Sequence, residues 1–303
     1  MWLNRRRLDA MKVGANELEV AGLNAVSAPR AGLWLDAPPC REIGLRLTNA
    51  EVRSRAARRL GVQVCDEGPC PFCFGVMDRF GVHAECCTAG GDKTHGHHVV
   101  RNNLYVHARQ GIGSADLEAK GVLDMLQVEH AGERARLGRE RPADVLLTGA
   151  RNVRTGAAGV VSGKIALDVG IVCPQAQSHL SDAAGERLGA AEAYVKHKCG
   201  HHSVERRCRE RGVVFQPMIF ESTGGVSVEA EGVIKCLNKA VADNQDSPEG
   251  EVATLFWHRL AIDLQRAGHR ALARRLRQRG VDGGVLGGGS LMAPHTLEMP
   301  EGI

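Results

Sequence analysis

Hydrophobic residues recur at helical spacing in two stretches of the first half of the chain. In TNAEVRSRAARRLGV, which begins at Thr48, Val52, Ala56 and Leu60 fall on one side of a predicted helix, and Glu51 completes a capping box with Thr48. The second stretch, HHVVRNNLYVHARQGIG, repeats in the same way and is predicted to end at Gly111. The first helix is rich in arginine, and His98 and Arg101 share a face of the second; both arrangements suit contact with phosphate or an ordinary solvated face.

The second half of the chain alternates short apolar strands with helices. RPADVLLTGA (residues 141–150) and KIALDVGIV (residues 164–172) are predicted strands, joined as a hairpin through the glycine-rich turn between Gly156 and Gly163. A helix is predicted from Ser181 to Lys198, followed by a third strand in which Pro217 indicates a sheet edge or a bulge. The predicted fold class is therefore α+β (mixed α/β), with a small mixed sheet flanked by helices.

The two ends of the chain have weaker patterns. Residues 1–47 contain Pro29, Pro38 and Pro39, which break long elements, so irregular structure is expected there. A polar linker over residues 241–250 precedes a long helix whose last turns are basic, and a glycine-rich tail expected to be disordered follows. The predicted division is residues 1–47, 48–110 (basic helix and cysteine-rich stretch), 111–240 (core of strands and helices), 241–280 (C-terminal basic helix) and 281–303.

Composition limits the classes of protein that this pattern can belong to. Of 303 residues 43% are hydrophobic but only 4% aromatic, so the core is expected to be aliphatic. The net charge of +4 permits a nucleic-acid partner without requiring one. Neither a secretory signal nor an apolar run long enough to span a membrane is found, so an intracellular, reducing location without a membrane partner is expected.

Cysteine and histidine are concentrated between Cys65 and Leu104, which hold five of the ten cysteines and four of the thirteen histidines. Cys70 and Cys73 have C-x2-C spacing, His83 follows after nine residues, and Cys87 after three more. Such a set can close a tetrahedron around Zn²⁺ and would form a structural zinc site. Cys86 could replace Cys87, and a cluster of reduced cysteines that fills a small core is the alternative.

Two aspartates stand in or beside the predicted strands of the hairpin. Asp168 lies within an aliphatic strand, where an unpaired carboxylate costs several kcal/mol, and the hairpin would bring Asp144 beside it. Two adjacent carboxylates repel each other unless a divalent cation such as Mg²⁺ lies between them. Lys196 or Lys198 on the following helix could point at the pair, although Glu192 and Lys196 also fit a surface ion pair.

The order of these parts resembles the C-terminal tail of non-LTR retrotransposon proteins, a zinc knuckle followed by a restriction-like PD-(D/E)xK endonuclease. The matching residues are the knuckle ligands, Arg141-Pro142-Ala143-Asp144, Leu167-Asp168-Val169 and the lysine-bearing helix, across residues 48–225. The resemblance implies a restriction-endonuclease-like core in which Asp144 and Asp168 hold Mg²⁺ and a helical glutamate, Glu118 or Glu129, assists. Gly170 stands where that family's strand lysine would lie, so Lys196 is preferred, with Lys198 in reserve.

The resemblance implies a divalent-metal-dependent DNA endonuclease in which DNA, or RNA, is positioned by Arg58, Arg101 and Arg274. It also favours the nucleus over the cytoplasm. Reverse-transcriptase motifs are not found in this sequence. The alternatives are a non-catalytic zinc-dependent nucleic-acid-binding module and a degenerate retroelement fragment.

Overall fold

The computed structural model describes residues 2–119, 122, 143–156 and 159–280. Glu129, Arg141, Pro142 and the predicted disordered tail, residues 281–303, lie outside the described residues. The helices are α1 Trp2–Lys12, α2 Glu17–Val26, α3 Leu33–Asp36, α4 Asn49–Arg59, α5 Val82–Cys86, α6 Asp92–Ile112, α7 Leu180–Gly185, α8 Gly189–Gly200, α9 Val204–Arg209, α10 Val228–Gln245 and α11 Glu249–Gln278. The strands are β1 Gly68–Pro69, β2 Val76–Met77, β3 Ala115–Leu117, β4 Val145–Thr155, β5 Gly159–Val172 and β6 Val213–Glu221.

The larger of two sheets has the strand order β3-β4-β5-β6. β3, β4 and β5 are antiparallel, whereas β6 runs parallel to β5. A parallel neighbour needs a crossover connection, which α7, α8 and α9 supply. The fold is therefore mixed α/β, as predicted, and the hairpin between β4 and β5 is confirmed.

Helices cover both faces of this sheet. On one face Leu167 and Val169 of β5 pack with Val100 and Leu104 of α6 and with side chains from α10 and α11. Val172 joins the opposite cluster, which contains Ala191 and Val195 of α8. Because side chains alternate along a strand, β5 contacts α6 with one set of residues and α8 with the other.

β6 lies at the edge of the sheet, as Pro217 indicated. Pro217 pairs in register with Asp168. The Gln216 side-chain amide donates to the Pro217 carbonyl oxygen at 2.8 Å, and its Oε1 accepts from the Gly156 backbone N–H at 2.9 Å. This side chain therefore joins the edge strand to the turn of the neighbouring hairpin.

The prediction of irregular structure for residues 1–47 is wrong, because three helices occupy most of this segment. Its prolines lie outside these helices. Asn16 and Glu19 form a capping box at the start of α2, a signal that the sequence contained. Asn24 then fixes α2 to α7 by donating to the Ala183 carbonyl oxygen at 2.8 Å.

The predicted helix from Ser181 to Lys198 is two helices, α7 and α8. Leu188, between them, has a left-handed backbone with φ of 65°. A Cβ at Gly189 would lie 1.9 Å from the Asp182 carbonyl oxygen, so the close approach of α8 to α7 requires glycine. The tight packing between the two helices, rather than a low helix propensity of the residues, interrupts the helix here.

Two other predicted boundaries need correction. α6 does not end at Gly111, which packs within the helix against Ala240 and Val241 of α10; Gly113, with φ of 78°, follows its last residue. The linker predicted over residues 241–250 is shorter, because α10 continues to Gln245 and α11 begins at Glu249.

The capping box of Thr48 and Glu51 at the start of α4 is confirmed. The buried side of α4 was predicted wrongly. Val52 and Leu60 are 42% and 75% exposed, whereas Arg55 and Arg58 are buried. None of the described helices is long and apolar enough to cross a membrane.

Candidate functional site

The cysteine-rich stretch forms a compact knuckle. Cys70 and Cys73 lie in the turn between β1 and β2, while His83 lies in α5 and Cys87 directly follows it. One ligand atom from each of these four residues lies within 4.8 Å of all the others. The predicted group is therefore brought together and could hold a metal ion such as zinc. Cys86 instead donates to the Val82 carbonyl oxygen at 2.9 Å.

Local backbone contacts explain this shape. Asp78 accepts hydrogen bonds from the backbone N–H groups of Phe80, Val82 and His83 at 2.7–3.1 Å, which fixes the first turn of α5. At Gly75 a Cβ would lie only 3.3 Å from His83 Cε1 and 3.4 Å from Cys73 Sγ. Glycine at this position therefore lets the C-x2-C turn approach the histidine closely.

The electrostatics of the knuckle favour a bound cation. Burial raises the pKa of Cys70, but the backbone N–H groups of Phe72 and Cys73 outweigh it and lower this pKa to about 6. A thiolate is the form that binds a metal. Arg275, fully buried, donates to Asp92 Oδ2 at 2.9 Å and to the Ala89 carbonyl oxygen at 3.0 Å. Three thiolates and one imidazole around Zn²⁺ would carry a net negative charge. The nearby guanidinium group of Arg275 would balance that charge.

Glu85 fastens the knuckle to the rest of the protein. It projects from α5 into the interior, where its side chain is 3% exposed and lies 2.6 Å from Arg55 and 3.4 Å from Arg58. The Ser222 hydroxyl, just after β6, donates to Glu85 at 2.7 Å. Burial raises the pKa of Glu85, but the charges of Arg58 and Arg55 outweigh it and lower this pKa to about 2. The metal-binding helix is thus joined to α4 and to the end of the sheet.

The two aspartates predicted to form an acid pair lie at neighbouring positions of the hairpin. Val145 pairs with Leu167, so the next step of the same register places Asp144 beside Asp168. Since β4 begins at Val145, β5 continues beyond it with unpaired backbone groups on that side. Asp144 Oδ2 accepts from the Val169 N–H at 2.7 Å and so replaces the missing strand partner.

Lys198, not Lys196, reaches the acid pair. Its Nζ lies 2.9 Å from Asp168 Oδ2 and 3.2 Å from Oδ1, whereas the Lys196 side chain is exposed. The preference for Lys196 is therefore wrong. The signal was present in the sequence, because Lys198 follows the buried residues Ala191 and Val195 by seven and three positions and so shares their face of the helix.

His97 is a site residue that sequence reasoning missed. Its Nε2 lies 3.0 Å from Asp144 Oδ2, so α6 contributes to the site from the other side of the sheet. His97 precedes the buried residues Val100 and Leu104 by three and seven positions, which places it on the inner face of α6. The same helical spacing would have identified it.

The surroundings make the two carboxyl groups different. Burial raises the pKa of each, but at Asp144 the hydrogen bond and charge of His97 outweigh burial and hold the pKa below its usual value. At Asp168 burial exceeds the effect of Lys198, and the charge of Asp144 adds to it, so the pKa is raised. Asp168 in turn raises the pKa of Lys198.

The other predicted site residues lie in ion pairs. Glu118 was expected on a helix, but it lies in the turn directly after β3, where it pairs with Arg101 and its backbone N–H donates to the Asp144 carbonyl oxygen at 2.9 Å. Arg101 and Arg58 are buried beside their carboxylate partners, so their guanidinium groups are not presented to solvent as nucleic-acid contacts require. Arg274 is 35% exposed and lies 2.7 Å from Asp92, so it retains an outward surface.

Within the described residues, the knuckle is the one group of three or more His, Cys, Asp and Glu side chains whose ligand atoms all lie within 4.8 Å of one another. Comparison with protein-family models, with curated proteins and with solved structures gave no match. Function is therefore inferred from the geometry of the knuckle and of the acid pair.

Proposed function

We propose that this protein is a divalent-metal-dependent DNA endonuclease of the restriction-like kind found in non-LTR retrotransposons. The observation that carries the proposal is the convergence of Asp144, Asp168 and Lys198 at one end of the β4–β5 hairpin. A carboxylate pair with an adjacent ammonium group is suited to hydrolysis of a phosphodiester.

The residues of the site would have separate roles in this reaction. Asp144 and Asp168 would hold Mg²⁺, which when bound supplies an activated water and neutralises charge on the phosphate. His97 and the Val169 N–H both bond Asp144 Oδ2, so the carboxylate is held in one orientation with Oδ1 left for the ligand. Lys198 would stabilise the charge that develops on the attacked phosphate or orient the water.

The surrounding architecture supports the same proposal. A helix that contributes to the site precedes three antiparallel strands, and a lysine-bearing helix then leads to a parallel edge strand. The knuckle precedes this unit in the chain and is fastened to it through Glu85. A knuckle followed by two strands that carry the aspartates and by a lysine-bearing helix is the order of parts that the resemblance implies.

A non-catalytic zinc-dependent nucleic-acid-binding module is the second candidate. The observation that favours it is that Asp168 and Asp144 already have basic partners, Lys198 and His97, within 3.0 Å. In such a module these ion pairs would be structural. The exposed part of Arg274 and the net charge of +4 would then provide the contacts with phosphate.

Plasmid nicking separates the two candidates. The parent protein with added Mg²⁺ should nick supercoiled DNA, and Asp144→Asn and Asp168→Asn should reduce nicking to the level of buffer alone. Asp116→Asn, at an exposed aspartate of β3, is the matched control and should nick as the parent does. Equal nicking by the two acid-pair variants would exclude the nuclease. A parent that only shifts DNA, in a salt-dependent way, would favour the binding module.

A further inference from the structure

Four aromatic rings form a row beside the acid pair. The His179 and Tyr194 ring centroids are 5.7 Å apart in an edge-on arrangement, and Tyr194 and His197 stack at 5.6 Å. His201, just beyond α8, continues the row at 5.3 Å from His197. His197 and His201 are exposed, whereas Tyr194 and His179 are half-buried.

The second ring of this row, Tyr194, lies beside the acid pair. Lys198 Nζ, which bonds Asp168, also lies 5.8 Å from the centre of the Tyr194 ring. A Cβ at Gly170, two residues after Asp168, would lie 2.9 Å from Tyr194 Cε1, so this ring packs directly on β5. From half-buried Tyr194 the row therefore leads away from the carboxylates, through His197 to His201, which are exposed.

The charge around the row is mixed, with basic groups nearest the site. Burial lowers the pKa of His179, and the positive charge of Lys93 on α6 lowers it further. The negative charge of Asp182 opposes both effects. Lys196 and Lys93 are exposed, and Lys198 lies beside Tyr194. An ordinary solvated helix face explains charged side chains, but it does not require a series of neighbouring rings, one pair of them stacked, beside an acid pair.

We propose that Tyr194, His197 and His201 form a stacking platform for an unpaired DNA strand. Exposed aromatic rings that follow one another near basic side chains can bind single strands, because every unpaired base offers a face for stacking. In duplex DNA those faces are covered by neighbouring base pairs. Bases on His197 and His201 would hold an unpaired segment of the DNA beside Lys198 and Asp168, so this inference rests on the proposed nuclease and predicts that it engages locally unpaired segments, which supercoiled plasmid also offers.

Binding measurements without added Mg²⁺ test the platform separately from cleavage. Fluorescence anisotropy would compare a labelled single strand of about twenty nucleotides with a duplex of the same sequence and with the corresponding RNA. The variants are His197→Ala with His201→Ala, the same two positions changed to Phe, and Arg53→Ala as a control at an exposed arginine of α4. The Phe variant keeps the rings and removes the imidazole nitrogens.

The parent should bind single-stranded DNA more tightly than the duplex or the RNA. The Ala double variant should lose about tenfold in affinity, and the Phe variant should keep most of it. Equal binding by the Ala variant and the parent, or a Phe variant as weak as the Ala variant, would overturn the platform, as would a preference for duplex or RNA. Plasmid nicking is measured in a separate assay. If the acid pair proves not to cleave DNA, binding that depends on the rings can still be detected.

Discussion

Lys198 reaches the Asp168 carboxylate at 2.9 Å, whereas Lys196, two residues earlier on the same helix, is exposed. If the acid pair cleaves DNA, Lys198→Ala should slow nicking by about a hundredfold or more, because an ammonium beside the reacting phosphate is lost. Lys196→Ala removes the same charge from the same helix and should leave nicking close to that of the parent. Initial rates of plasmid nicking measure both. The reverse order of effects would mean that the ion pair is only structural.

The knuckle predicts that the protein contains one zinc ion and depends on it for stability. Cys73→Ser removes one ligand of the set and should abolish stoichiometric zinc in elemental analysis. The melting temperature should fall by about 10 °C, since several kcal/mol of metal binding are lost. Cys40→Ser, at a cysteine outside the group, should keep both zinc and stability. A zinc-free parent whose melting ignores chelator would contradict the assignment.

Glu85→Gln should destabilise the fold by about 3 kcal/mol, because it leaves two buried guanidinium groups without their carboxylate. Unfolding in denaturant, followed by circular dichroism, measures the change in free energy of unfolding. The matched control is Glu205→Gln, which breaks the exposed pair with Arg209. This change should cost less than about 1 kcal/mol. Equal costs for the two variants would show that Glu85 does not join the knuckle to the core.

The buried carboxyl group of Glu221 predicts a loss of stability as the pH rises from about 4.5 to about 7. Burial raises its pKa from 4.5 to about 7, despite the opposing hydrogen bond from the Ala191 backbone. The folded state therefore retains this proton more tightly than the unfolded state does. Its stabilising effect is complete below pH 4.5 and disappears as the pH rises through about 7.

Glu221→Gln should remove that dependence. The variant should match the parent near pH 4.5 and exceed it near pH 8 by up to about 3 kcal/mol of unfolding free energy. Denaturant unfolding across this pH range gives the difference in free energy of unfolding between the two proteins. The contributions of the histidines, which both proteins share, cancel in this difference. A difference that is constant with pH would contradict a proton on the buried carboxyl.

Local signals in the sequence predict the elements whose partners are near in the chain. The Thr48 capping box, the β4–β5 hairpin and the spacing of Cys70, Cys73, His83 and Cys87 each depend on contacts between residues close in sequence. The mixed sheet also followed from the alternation of apolar runs. The proposed nuclease remains a prediction, because neither geometry nor comparison tests it.

Long-range packing determines what the sequence did not predict. Arg55 and Arg58 have the pattern of a solvated helix face, but Glu85, about thirty residues later, buries them as ion pairs. The break before Gly189 depends on how closely α8 approaches the Asp182 carbonyl group. The positions of Lys198 and His97 could nevertheless have been predicted from the sequence, since each lies on the same helical face as buried neighbours. A charged residue on such a face is better assigned an internal partner than a surface role.

The edge strand of the larger sheet has a consequence for self-association. Edge strands with free N–H and C=O groups are templates on which a second copy can add a strand and begin to aggregate. On β6, Pro217 has no N–H to offer, and its carbonyl oxygen is already engaged by Gln216. At the opposite edge β3 has only three residues. Both borders are therefore poor sites for intermolecular strand addition, which protects the hairpin that carries the acid pair from being drawn into a shared sheet.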